Sequence, residues 1–334
     1  MEAVAAARTL AERVLFPSAM AIERSTVVPL AYLDALAEAG LYGLYGPPDA
    51  GGLDADQRSA ARVVEALGGA SLTTAFIWIQ HHSTVRALRS ARPALREAWM
   101  APLCRGTIRS GIAFAALRRP GPPAMVAEPA GDGWLLTGDA PWVTGWERIG
   151  VVYTGARHGD GVVWALVDAT EAPTLTASAS ELAAVASSST VALHLDGHPV
   201  GADRVVAVEP FADWTVRDAH DPRTNGYLAI GVAARAADLS GQASLTTAVD
   251  RARDALDQAQ GDEVITARAE ASLLAVRATT VLVVGGGGRS VELGHHAQRL
   301  AREAMFLLVF AQTASIRDAQ LAALTAGAVR PGGG

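Results

Sequence analysis

"GWLLTGDAPWVTG", residues 133–145, decides how this chain is read. Aromatic and β-branched residues dominate it, and Gly and Asp interrupt it, which are strand and hairpin signals. "RIGVVYTGAR", "GVVWALVDA" and "STVALHLDGHPV" repeat the pattern on either side of short breaks. Short strands about 8–12 residues apart predict a small barrel or sandwich.

Outward from this block the period changes. Before it, Leu30, Leu33, Leu36, Ala37 and Leu41 recur at helical spacing. "PPDAGG" at 47–52 is a turn. "QRSAARVVEALGGASLTTAFIWIQHHSTVRALRSA" and "RPALREAWMAPLCRG" predict further helices that end at Gly106. After it, "NGYLAIGVAARAADLSGQASL" places Gly and Ala where helices can approach closely. "EVITARAEASLLAVRATTVLVV" is apolar nearly all round, as a central buried helix is. The closing "VRPGGG" reads as a frayed tail. The expectation is an α+β chain: an N-terminal helical domain (1–106), a middle β-barrel (107–215) and a C-terminal four-helix bundle (216–330).

Composition narrows the function. Half of the 334 residues are apolar and 19% are charged, enough to bury a large core. All 28 basic residues are arginines, scattered in a chain of net charge −6. No basic stripe marks a nucleic-acid partner. Cys104 is the single cysteine, which excludes an internal disulfide and a cysteine zinc site, and suits a reducing cytoplasm. "MEAVAAARTLAERV" carries acids within its apolar pattern, unlike a signal peptide. No run reaches ~18 uninterrupted apolar residues, so no membrane span is expected.

Several motifs then resemble the acyl-CoA dehydrogenase superfamily. "LDALAEAGLYGLYGPPDAGGL" is similar to its N-terminal segment. "GWLLTGDAPWVTG" resembles its Gly-Lys-x-Trp-Ile-Thr element. "SSSTVALHLDGHPVGADRVV" resembles the last strands of its middle domain. "GGGGRS…RLAREAMFLLVFAQTASIR" resembles its Gly-Gly-x-Gly, Arg-Asp-Ala and Tyr-Glu-Gly-Thr region. The resemblance spans nearly the whole chain, in a shortened form. It implies a homodimer or homotetramer and an FAD between the β-domain and the C-terminal bundle, with FMN or no flavin as the other cases. It also implies a glutamate that removes an α-proton while the β-hydride passes to the flavin.

The same resemblance assigns residues. Trp142, Val143 and Thr144 match the element that lies against the isoalloxazine ring: a flat apolar wall, with a hydroxyl and an N–H for its polar edge. Gly287 and Gly288, in the run 285–288, match a turn near the cofactor phosphates, although no strand precedes them as a dinucleotide fingerprint requires. Thr313 is retained from the Tyr-Glu-Gly-Thr motif. In an ungapped alignment Phe310 stands for its Tyr, Ala311 for the catalytic Glu and Gln312 for its Gly. A methyl group takes no proton. The loop before residue 133 reads "LRRPGPPAMVAEP", where Arg118 and Arg119 are candidate anion holders or a plain exposed hairpin. The Arg-x-x-Phe-Gly adenine grip is not visible.

Three readings follow. A flavin-dependent oxidoreductase of a divergent branch, working with reduced flavin and oxygen, needs no glutamate. It needs a water-poor pocket and a proton donor. His81 and His82, on the helix that faces substrate in the family, are the catalytic candidates; the plainer alternative is one solvated and one interior imidazole. Such an enzyme takes a small molecule or an acyl thioester and draws on a flavin reductase. A flavin-free cyclase or isomerase, or a non-catalytic subunit, are the other two. His295 and His296, with Glu292 before them, read as a helix start rather than a metal site. Arg302 and Glu303 read as helix-packing and ion-pair residues.

Overall fold

A computed structural model describes residues 2–220 and 222–326; the tail at 329–334 lies outside them. The described chain forms two compact units. One takes residues up to 63 together with 73–216; the other takes 64–72 and residues from 217 onward.

The first unit opens with α1 (Glu2–Leu10) and α2 (Phe16–Arg24), joined by a π-turn at Ala11–Leu15, then α3 (Leu30–Glu38). Pro29 sets the start of α3 and Gly40, at φ 70°, ends its turn. α4 (Gln57–Ala70), α5 (Leu72–Leu88) and α6 (Pro93–Cys104) follow. Residues 71–82 are all buried, so α5 is an interior helix.

The sheet contains β1 (Ser110–Ala113), β2 (Met125–Ala130), β3 (Gly133–Val143), β4 (Val151–His158), β5 (Gly161–Asp168), β6 (Leu175–Ala179), β7 (Val191–Val200) and β8 (Val205–Pro210). Its order is β6-β7-β3-β2-β4-β5-β8, with β1 pairing β4 in parallel. β6 pairs with β7 and β8 with β5, so the sheet ends at these two strands and does not close. "Barrel" is therefore a loose description. The free edges are short, which limits the number of unpaired amides.

β4 and β5 bury both faces. Val152, Ala156, Val163, Ala165 and Val167 join a core with Met125, Leu136 and Leu193. Val151, Tyr153, Val162, Trp164 and Leu166 face the other way, onto Val85 and Leu88 of α5 and Leu95, Met100 and Leu103 of α6. Successive side chains point to opposite faces, so "VVWALV" at 162–167 is apolar without a break because neither face is wet.

The second unit holds α8 (Arg223–Ser240), α9 (Ala243–Gln258), α10 (Glu263–Gly286), α11 (His296–Val309) and α12 (Ala314–Thr325). α7 (Phe211–His220) precedes them across the boundary. α10 packs against α8, α9, α11 and α12. By length and composition alone it is apolar enough to cross a membrane. It carries Arg268 and Glu270 and is the hub of this bundle. Glu303 forms a buried ion pair with Arg299, 2.6 Å away, both 1% exposed. Arg302 bonds Gln298 at 3.0 Å.

The last turns of α4 meet α8 backbone to backbone. A Cβ on Gly231 would sit 2.2 Å from the Glu65 carbonyl oxygen, and one on Gly69 2.5 Å from the Gly231 oxygen. Helix propensity alone makes Gly→Ala favourable by roughly 0.5–1 kcal/mol. Here overpacking, at about 1–3 kcal/mol, wins. Gly231→Ala should therefore lower the unfolding free energy in urea titrations, while Gly288→Ala, with open space around it, should not. A stabilised Gly231→Ala would refute the close crossing.

Candidate functional site

At the end of β3 the register with β7 slips. Ala140 pairs with Leu193 and Val143 with Val191, so β3 carries one extra residue. Such a β-bulge re-aims a side chain. The extra length puts Trp142 at φ 65°, in the left-handed region, with its side chain half exposed. Val143 turns inward and is fully buried. Thr144 is fully buried too, its Oγ1 3.2 Å from Thr190 Oγ1.

The facing loop is also strained. Among the described residues five non-glycines have positive φ, and three of them, Trp142, Val185 and Ser189, lie in this junction. Each costs about 1–3 kcal/mol and persists only where surrounding contacts over-determine it. Those contacts are specific. The Gly145 and Trp146 N–H groups donate to the Ser188 and Ser189 carbonyls at 2.9 and 3.0 Å, and the Val28 N–H donates to the Ser187 carbonyl at 2.9 Å. Ser188 Oγ lies 2.8 Å from Thr190 Oγ1. Ser187 Oγ is buried with no hydrogen-bond partner. Sequence reasoning took "SSST" only as the lead-in to a strand. Its signal was four consecutive hydroxyls beside an apolar run.

His81 and His82 sit deeper, on α5, and both are 1% exposed. Neither faces solvent. The Ser110 N–H donates to His81 Nδ1 at 3.1 Å. The His81 ring meets Tyr42 edge-on at 4.8 Å, and His82 is enclosed by Trp78 at 4.5 Å and Tyr45 at 5.1 Å. Both His82 ring nitrogens lack partners. Burial pushes the His81 imidazolium down to about 3 and that of His82 well below its usual range, with the neighbouring His81 and Arg86 adding to the effect. Burial therefore favours the neutral form of both rings in this conformation.

The remaining candidates lie in the second unit. Gly287, at φ 60° and ψ −149°, caps the C-terminus of α10; only glycine adopts that geometry readily. Gly288 is open and exposed beside it. Thr313 caps α12, its hydroxyl accepting from the Ile316 N–H. Ala311 occupies the corner between α11 and α12 at φ 49°. His295 caps α11 by accepting from the Ala297 N–H. Arg118 and Arg119 are exposed, Arg118 lying 5.6 Å from the Phe114 ring centre.

Residues 2–107 match the model of the acyl-CoA dehydrogenase N-terminal domain. Its N-terminal third is thus similar to that family. The bovine mitochondrial short-chain specific acyl-CoA dehydrogenase is 27% identical over 154 residues, 43% of this chain and 37% of that protein. Solved structures share the fold along nearly the whole chain. A glutaryl-CoA dehydrogenase from Mycobacterium smegmatis in complex with FADH2 superposes with a TM-score of 0.79 at 15% identity, covering 98% of this chain and 94% of that one. A dibenzothiophene monooxygenase from Paenibacillus sp. A11-2 gives 0.79 at 16% identity, covering 98% of each.

The family implies FAD, and the fit is uneven. The half-exposed Trp142 ring offers a flat apolar wall that suits a planar heteroaromatic ring. The glycine run suits phosphates poorly. It closes the C-terminal end of α10, where the helix dipole is negative and repels an anion. Only Arg289 beside it supplies positive charge.

The buried imidazoles give a pH dependence. An unfolded chain protonates each histidine near pH 6.5. The folded chain holds His81 neutral down to about pH 3. Stability should be level above neutrality and fall below pH 6.5, by up to ~1.4 kcal/mol per pH unit per buried histidine. In denaturant titrations at pH 7 and 5, His82→Phe should shrink that loss. An undiminished loss would mean that His82 is protonated within the fold.

Proposed function

We propose that this chain is a flavin-dependent oxidoreductase, of monooxygenase or atypical oxidase type, that does not run acyl-CoA desaturation through a base at position 311. One observation carries the reading: a strained, half-exposed Trp142 at the end of β3, two residues before a buried Thr144. A cofactor would supply the redox chemistry by taking up and giving up electrons. Trp142 would cover one face of its ring and exclude water. Val143 would anchor that wall in the core, and Thr144 would offer its backbone N–H at the polar edge. Ala311 offers no proton acceptor. The shared fold of the dibenzothiophene monooxygenase supports the oxygen-using branch by analogy. The substrate would be a small molecule or acyl thioester, and the electrons would come from a partner reductase.

We further propose a homodimer or homotetramer. Val284, Val291, Leu293 and Val309 of the second unit are more than half exposed, apolar surface that a second copy would cover.

A flavin-free cyclase or isomerase has one observation in its favour. Two of the expected cofactor contacts, Gly287 and Thr313, are spent as helix caps. An absorption spectrum separates the readings. After soaking with FAD or FMN and desalting, bands near ~370 and ~450 nm at about one flavin per chain are expected. Trp142→Ala should weaken that binding about tenfold or more, the loss of roughly 1–2 kcal/mol of aromatic contact. A protein that stays colourless with both flavins would exclude the oxidoreductase and leave the cyclase or subunit.

A further inference from the structure

We propose that Thr190 is the positioning residue of this site: its hydroxyl, not any contact with a ligand, holds Trp142 in the conformation that presents its ring. The inference rests on the reading of Trp142 as the ring wall, and it stands on geometry of its own.

Trp142 sits on a backbone that opposes it. A left-handed aromatic residue relaxes unless both of its flanks are fixed. On the N-terminal side the ladder fixes Ala140 against Leu193. On the C-terminal side the ladder stops at Val143, paired with Val191. Beyond it the chain is held by the loop at 185–190, which is itself strained at Val185 and Ser189. Two backbone bonds, from Gly145 and Trp146, cross to that loop.

The side-chain link between the two strained segments is a chain of hydroxyls. Thr144 lies 3.2 Å from Thr190, and Thr190 lies 2.8 Å from Ser188. A hydroxyl has one proton and two lone pairs, so Thr190 can donate along one of these bonds and accept along the other. It is the only member with two partners. All three residues are at most 3% exposed, so water does not replace either bond if it is lost. Removing Thr144 or Ser188 breaks one bond; removing the Thr190 hydroxyl breaks both, the one to the bulge and the one within the loop, and leaves only the two backbone bonds from Gly145 and Trp146 to hold the loop to the bulge. The β-branched frame of Thr190 is matched by Val, which keeps the shape and deletes the hydroxyl.

The test needs a readout that does not depend on flavin. The near-ultraviolet circular dichroism of wild type minus that of Trp142→Phe isolates the Trp142 signal from the other six tryptophans. The same difference is then taken in Thr190→Val, Thr190→Ser and Ser188→Ala backgrounds, alongside thermal melts. In Thr190→Val the Trp142 signal should fall by about half or more as the ring loses its fixed orientation, while Thr190→Ser keeps it and Ser188→Ala lies between. Flavin dissociation constants should follow, rising about tenfold in Thr190→Val and recovering in Thr190→Ser. A Trp142 signal unchanged in folded Thr190→Val overturns the proposal, even if the melting temperature drops. So does a Thr190→Ser variant that behaves like Thr190→Val. If Thr190→Val does not fold, Ser188→Ala decides, and an unaltered Trp142 signal there counts against the proposal. If wild type takes up no flavin, the reading of Trp142 as a flavin wall fails, and the dichroism alone still decides the role of Thr190.

Discussion

β4 and β5 have no wet face, and the first unit is arranged around that constraint. A strand buried on one side needs one partner layer. These two need two, because Val152 and Val163 point into one core while Tyr153 and Trp164 point into another. α5 and α6 supply the second layer. Once α5 is fixed there, its neighbouring histidines have no route to solvent, and aromatic rings become their surroundings. The position of the β-domain likewise fixes where β3 ends, and the bulge at that end creates the candidate site. Core burial, at roughly 1.5–3 kcal/mol per large side chain, is spread over dozens of residues. The junction at Trp142 carries three strained residues and a handful of hydrogen bonds. The fold tolerates the strain because the core is so much larger.

Strain and buried hydroxyls meet at the junction around Trp142. Elsewhere, buried polar groups are used structurally: Thr84 and Ser110 share a hydrogen bond at 2.6 Å, and the Trp78 indole N–H donates to the Leu41 carbonyl at 3.1 Å. Around Trp142 the hydroxyls hold a backbone conformation that packing alone would not choose. That is the usual mark of a functional constraint, since a sequence free to relax would have placed glycine at φ 65°.

Much of the fold was legible in the residues. Strand alternation located the β-domain, and helical spacing located α3 and α5. The open edges of the sheet were not legible, because which strands pair is a non-local fact. β3 joins β7, 48 to 66 residues away, and no local pattern encodes that. The histidines were legible as residues of an apolar helix, but the alternative of one solvated and one interior imidazole failed, because Tyr42 and Tyr45, which help enclose them, come from a distant loop. Thr313 carries two signals at once. A threonine directly before a helical run is an N-cap signal, yet the family motif drew the reading toward a cofactor contact. Gly287 is similar: a glycine after "VLVV" is the end of a helix, and its polarity at that end disfavours an anion. The hydroxyl run at 187–190 was visible as letters, but its meaning depends on a bulge formed by another strand.

Ala311 has a consequence for the history of this chain. Its φ of 49° is a conformation in which the penalty falls on the Cβ atom, and every L-residue other than glycine carries that atom. Alanine is therefore no better suited to the corner than a longer side chain is. The backbone does not record whether a carboxylate was ever lost there, and it sets no extra barrier to one arising.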